Sequence, residues 1–274
     1  MDHELQRQMA AFDAARIRQP IELSPFEPKR ILVARDGSNQ DATALALAGA
    51  IAKRHGAEVG EWHGPVGELA HESILTACEA ADLLLLPCPF GADFAAVGKD
   101  TLSAIVDLLV ARGRIPVICV RGPLADVDAA LDRPLVALDM CRERKVEATA
   151  MALGLSRSGG EVAMLAVTDP AEPIRRQEIL SRWLDPADLD QDDLTALHGA
   201  RTASLTAALQ RAARSRGIGA KVQLRAGSAL DVTCEEAVAR GGIIVSGAPR
   251  DHRDAAFGRV RELILASALP VALA

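Results

Sequence analysis

The chain has 274 residues, 49% of them hydrophobic but only 3% aromatic, with no Tyr and a formal net charge of -6. That length suits about two domains. The acidic balance excludes nucleic acid as the main partner, because phosphate contacts need clustered Lys and Arg.

No apolar run reaches the roughly 18 residues needed to cross a bilayer, so no membrane span is expected. Met1-Asp2-His3-Glu4 lacks the basic-then-apolar pattern of a secretory signal. Cys78, Cys88, Cys119, Cys141 and Cys234 are scattered without CxxC spacing. Reduced thiols in a cytoplasmic protein account for them most simply.

In chain order, residues 1–19 place Leu5, Met9 and Phe12 on one helical face and predict a short amphipathic helix ended by Pro20. Ser24-Pro25-Phe26-Glu27-Pro28 is an extended connector. Residues 1–29 thus form an arm, packed on the body or offered to a partner. Ile31–Ala34 is a strand apolar on both faces, Asp36-Gly37-Ser38 a turn, and 41–54 a helix ending near Gly56. Ala57–Trp62 can form a strand, Glu68–Ala80 a helix, and Leu83-Leu84-Leu85-Leu86 a buried strand. A Pro- and Gly-rich loop runs from Pro87 to Gly98. A helix over Thr101–Ala111 and a strand over Pro116–Val120 follow.

The order then restarts at Leu135, with a helix at 145–156 and a strand at Val162–Val167. Asp169–Asp193 is an acidic, proline-punctuated insertion, followed by a helix at 196–215 and a strand at Lys221–Leu224. Gly227-Ser228 opens a helix ending near Arg240. Ile243-Ile244-Val245 is a strand, 259–267 a helix, and Pro270–Ala274 the closing strand. Alternating strands and helices imply right-handed crossovers and a parallel sheet covered on both faces.

The second run echoes the first. Arg30-Ile31-Leu32-Val33-Ala34-Arg35-Asp36-Gly37-Ser38 answers to Arg133-Pro134-Leu135-Val136-Ala137-Leu138-Asp139-Met140-Cys141. Ala95-Ala96-Val97-Gly98 answers to Ala255-Ala256-Phe257-Gly258, and Pro116-Val117-Ile118-Cys119-Val120 to Pro270-Val271-Ala272-Leu273-Ala274. Landmarks repeated in order mark a duplicated unit. The fold class expected is α/β: two tandem doubly wound parallel-sheet domains, 30–121 and 131–274. The first is shortened by one helix and one strand between Trp62 and Glu68.

In such sheets ligands bind beyond the carboxyl ends of the strands. Asp36 and Asp139 stand there and can accept hydrogen bonds from a ribose or a base amine. Glycines in the second loop, Pro87–Gly98 or Gly247–Gly258, let backbone N–H groups approach a phosphate. A helix starting after Gly98 or Gly258 would present its positive end to an anion. Lys99 and Arg259 add positive charge. Each Asp can equally be a turn cap bonding its own backbone.

Val33-Ala34-Arg35-Asp36-Gly37-Ser38, the leucine strand, the glycine loop and the Pro-Val-Ile-Cys-Val strand resemble the universal stress proteins, an adenine nucleotide α-hydrolase-like family. The resemblance extends over both runs. It implies a cytoplasmic stress-response protein that binds ATP or AMP without catalysis. The implied site residues are Asp36, Gly37, Ser38, Gly91, Gly98, Lys99, Asp139, Gly247, Gly258 and Arg259. It also implies that the closing strands pair within one chain as a pseudo-dimer, and that two chains pair again as a homodimer. Family members that bind nucleotide carry Gly-x2-Gly-x9-Gly-Ser/Thr after the fourth strand. Here Cys88 replaces the first glycine and Arg250 the second, Met140-Cys141 replaces Gly-Ser, and both loops are short. Three roles therefore stay open: a nucleotide binder, an interaction scaffold with empty clefts and protein partners, and a weak ATPase.

Other candidates have simpler explanations. Ser158-Gly159-Gly160 follows a helix and precedes a strand, the reverse of a phosphate loop, so it is a helix C-cap. His63 and His252 have no second ligand at metal spacing, so no metal is expected. Cys88 and Cys141 lie at strand ends near the cleft, where small buried residues or redox thiols would both fit. Arg175 and Arg176 in the insertion could close on a phosphate or simply face solvent.

Overall fold

The structure, a computed structural model, describes residues 21–64, 70–91, 102–112, 114–141, 143–168, 191–249, 251 and 253–274. The expected N-terminal helix, Gly98, Lys99, most of the acidic insertion with Arg175 and Arg176, Arg250 and His252 lie outside these residues.

Nine strands and eight helices are described. In chain order they are β1 (Arg30–Arg35), α1 (Asp41–His55), β2 (Glu58–His63), α2 (Ala70–Cys78), β3 (Leu83–Pro87), α3 (Ala104–Arg112), β4 (Val117–Val120) and α4 (Val127–Asp132). Then come β5 (Leu135–Ala137), α5 (Lys145–Leu155), β6 (Glu161–Thr168), α6 (Gln191–Ser215), β7 (Gly219–Ala226), α7 (Ala229–Arg240), β8 (Ile244–Ser246), α8 (Ala255–Ala266) and β9 (Val271–Leu273). The fold is α/β and doubly wound, with one sheet in the order β2-β1-β3-β4-β9-β8-β5-β6-β7. All pairs are parallel except β4 with β9. Strands β1–β4 form one parallel run, the first half, and β5–β9 form the second.

Strand sequences explain the layering. In β1, Leu32 and Ala34 enter the core on one face and Ile31 and Val33 the core on the other. In β3, Leu84 and Leu86 share the first face, Leu83 and Leu85 the second. Strands buried on both sides need such unbroken apolar runs. Helices α2, α3, α7 and α8 cover the first face; α1, α5 and α6 cover the second. Buried positions of α3 and β4 recur in α8 and β9 at one constant spacing. Val106 matches Val260, Leu109 matches Leu263, Val110 matches Ile264 and Val117 matches Val271, all buried. In this register the counterpart of Gly258 is Ala104, not Gly98.

Helix α4 was not expected from the sequence. It is short, and it forms because the Asp126 side chain accepts from Ala129 N–H at 2.9 Å. Its acids meet Arg54 from α1. The Arg54 guanidinium lies 2.6 Å from Asp128 and 2.9 Å from Asp132, and also donates to the Leu155 carbonyl at the end of α5. Arg54 holds the Asp128 carboxyl below its usual range. A side chain only 9% exposed thus ties the first half to the second.

The connector 21–28 adds a strap. Phe26 N–H donates to the Ala150 carbonyl at 3.0 Å, and Ile21, Leu23 and Phe26 pack on the second core. Arg216, just past α6, reaches Glu27 at 3.4 Å. The strap crosses α5 at Gly154, where a Cβ would fall 1.9 Å from the Phe26 carbonyl oxygen. His55 also reaches this point, with Nε2 2.9 Å from the Gly154 carbonyl. A carbonyl only accepts, so Nε2 carries the proton. Burial pushes the His55 imidazole below its ordinary 6.5, against the carbonyl bond and Glu27, while Arg216 and Lys29 push the same way as burial.

Gly154→Ala should therefore lower the melting temperature, costing about 1–3 kcal/mol by overpacking. Helix propensity alone would instead stabilise the chain by about 1 kcal/mol, so the sign decides whether the strap is seated as described. His55 favours its neutral form on folding. Its contribution should be full above pH ~6.5 and be lost as pH falls through the depressed folded value. Urea midpoints across that range should fall in the native chain and fall less in His55→Gln.

Candidate functional site

At the carboxyl end of β1 the chain turns through Asp36, Gly37 and Ser38. The Asp36 carboxylate accepts from Ser38 N–H at 2.9 Å with one oxygen and from Gly91 N–H at 2.5 Å with the other. The structure thus brings Asp36 and Gly91 together, as a bridge between the β1 turn and the β3 loop. Beside it, Asp41 at the start of α1 is nearly buried. It accepts from the N–H groups of Asp36 and Gly37 and from Arg35 Nε, each at 3.2 Å. A protein carboxylate therefore occupies the cluster of donors that an external anion would otherwise use. Arg35 continues to Glu61 at 2.8 Å, and Glu61 to His63 at 3.1 Å. Hydrogen bonding to Arg35 holds Glu61 below the usual carboxylate range, and Glu61, then Asp41, raise Arg35.

Gln40 precedes α1 and is 1% exposed. Its Nε2 donates to the Cys88 carbonyl at 3.4 Å. Gln40 Oε1 and Ser38 Oγ are buried with no hydrogen-bond partner among the described residues. Trp62 closes the wall: its Nε1 donates to Ser73 Oγ at 3.0 Å, and its ring lies 6.1 Å from that of Phe90.

The second half turns at the same place with different residues. Asp139 is buried, and its carboxylate accepts from Val167 N–H on β6 at 2.7 Å. Met140 and Cys141, 2% and 1% exposed, stand where the first turn has Gly37 and Ser38. The Cys141 thiol donates to the Ala248 carbonyl at 3.6 Å, and Arg259 Nε donates to the Met140 carbonyl at 3.1 Å. A Cβ on Gly247 would fall 2.8 Å from Arg144 Cβ and 3.2 Å from Cys141 Sγ. The chain's own turn thus packs against Gly247 and leaves no room for a side chain there. Arg259, expected as a counter-charge for phosphate, instead fastens that turn.

Gly258 is corrected more sharply. Helix α8 begins at Ala255, capped by Asp254, whose carboxylate accepts from Ala256 N–H at 2.8 Å. Gly258 lies one turn inside, past the N–H groups that a helix start leaves unpaired. A capping acid also holds the position an anion would take.

The thiols of Cys88 and Cys141 are buried. Burial pushes Cys141 up, and burial with a hydrogen bond to Cys119 pushes Cys88 well up. Ser158-Gly159-Gly160 lies at the opposite rim, beside a cavity of about 250 Å³ whose Arg157 pairs with both Asp128 and Asp132. Among the described residues no three His, Cys, Asp or Glu side chains gather as a metal site, and no helix is long and apolar enough to cross a membrane. Reasoning from the sequence missed Asp41, Gln40 and Asp254. An acid beside a turn and just ahead of an Ala-rich run was the available signal for both aspartates; Gln40 gave none.

No family model and no curated protein matches the chain. Among solved structures it is similar to a universal stress protein from Archaeoglobus fulgidus DSM 4304, with 14% identity and a TM-score of 0.58 over 89% of this chain and 95% of that one. Met140→Ala should cost about 2–5 kcal/mol, the range for emptying a packed site, read as a lower urea midpoint. A near-neutral result would mean that the second crevice is not filled as described. What the comparison establishes is the fold, that of a universal stress protein.

Proposed function

We propose that the chain is a tandem universal stress protein, with residues 30–121 and 131–274 as its two units, that binds one adenine nucleotide in the first crevice and acts without catalysis. The sequence echo and the recurring buried positions support the duplication. The fold likeness supports the stress-response class, and five free cysteines fit a reducing cytoplasm.

One observation carries the single-site assignment. The second crevice is filled by Met140 and Cys141, while the first leaves Ser38 Oγ and Gln40 Oε1 buried and unpaired beside the Asp36–Gly91 bridge. Buried polar atoms without partners cost about 1–3 kcal/mol each. A polar ligand with both donors and acceptors, such as AMP or ATP, would relieve that cost. Ser38 would donate to it and Gln40 accept from it. Gly98 and Lys99 keep their expected place near the phosphate as part of the proposal.

A scaffold role is favoured by a different observation. Both oxygens of Asp36 already bond backbone N–H groups, and Asp41 already fills the neighbouring donors. A weak ATPase would have to show phosphate release lost in Asp36→Ala.

Melting with and without ATP or AMP separates these. A ligand at 100 times its dissociation constant stabilises by about 2.7 kcal/mol. Ser38→Ala removes an unpaired buried hydroxyl, so it should melt above the native chain without nucleotide and lose most of the nucleotide-induced rise. Asp139→Ala should keep the rise. No rise with any adenine nucleotide leaves the scaffold role standing.

A further inference from the structure

We propose that Asp107 and Arg261 sort the two halves, favouring the pairing of unlike halves over the pairing of a half with its own kind from another copy. This rests on the duplication proposed above, though not on nucleotide binding.

The seam between the halves is the antiparallel pairing of β4 with β9. At its centre Ile118 pairs with Ala272. These two residues are counterparts in the register that also matches Val106 with Val260 and Leu109 with Leu263. A rotation that exchanges the halves therefore exchanges Ile118 and Ala272, and their contact lies on its axis. The same holds for one pair of charged side chains. Arg261 Nε lies 3.1 and 3.3 Å from the two carboxylate oxygens of Asp107, and the two residues are separated by the same 154 positions. Asp107 on α3 and Arg261 on α8 are thus each other's counterparts, in contact across the axis.

On the axis of an assembly of identical units, a residue meets itself. An Asp would face an Asp, and an Arg an Arg. Here the two counterparts carry opposite charge. The side chains are 31% and 37% exposed, so the attraction is modest. Its discriminating power is larger than its strength. If two copies exchanged like for like, two Asp–Arg contacts would become one Asp–Asp and one Arg–Arg contact. Like charges set opposite one another are a recurring device against wrong partners. The charges do not oppose pairing of unlike halves from different copies. The short connection through α4 does that, by keeping the internal partner at high effective concentration.

The full chain tests this. Asp107→Arg and Arg261→Asp should each lower the melting temperature by roughly 2 °C or more, and the double exchange should restore it. The deciding measurement mixes a tagged double exchange with untagged native chain in urea, refolds them together and captures the tag. Only like-with-like pairing gains complementary charges in that mixture; unlike pairing between copies becomes repulsive. Capture of native chain should exceed that by tagged native chain roughly tenfold, the ratio that 1.4 kcal/mol represents. Equal capture overturns the proposal even if the double exchange restores stability, because the pair is then an ordinary ion pair. Single variants that melt like the native chain also overturn it. No nucleotide enters the assay, so its failure and a failure of the binding proposal are read separately.

Discussion

The structure depends on one backbone ladder. β4 and β9 are buried on both faces, and each closes its own parallel run. Left alone, either would be a flat apolar edge, open to aggregation. Their antiparallel pairing removes both edges and makes one sheet from two. Arg121, just past β4 and 1% exposed, reinforces the join by donating to the Ile264 carbonyl at 2.9 Å. That carbonyl lies in the last turn of α8, where helix carbonyls lack partners and the dipole favours a cation. Burial lowers the Arg121 pKa, and the neighbouring thiols Cys88 and Cys119 act against that shift.

The two crevices diverge from a common start through small substitutions. Gly37 and Ser38 leave room at the first turn; Met140 and Cys141 take it at the second. Asp36 reaches across to the β3 loop, whereas Asp139 turns to the neighbouring strand β6. The same residue type after the same strand therefore joins different elements.

The sheet was legible because its signals are local and apolar. Leu83-Leu84-Leu85-Leu86 and Ile31–Ala34 can only be buried strands, and most helix limits fell within a few residues. The miss at α8 has a definite cause: Gly258 resembles a loop residue until Asp254 is recognised as the cap. α4 was hidden because six residues carry too little periodicity to detect. The connector's packing on the body was one of the expected readings, but Arg54, Gln40 and the strap's seat at Gly154 were illegible for another reason. Each acts on residues distant in sequence, and nothing beside them in the chain marks the contact. The site was legible in position but not in state. Asp36 and Gly91 were placed at one crevice by their position beyond the carboxyl ends of the strands and by the family resemblance, while the packing of the second turn depends on contacts of Cys141 and Arg144 with Gly247 and of Arg259 with Met140.

The order of synthesis gives the β4–β9 ladder a further consequence. Val271 is added 154 residues after Val117. At translation speeds of 5–20 residues per second, that is a delay of roughly 8–30 s. Throughout it, the nascent first unit presents an unpaired hydrophobic strand to the crowded space around the ribosome. A chaperone that shields such edges would have its longest work here, between the making of one strand and the arrival of its mate.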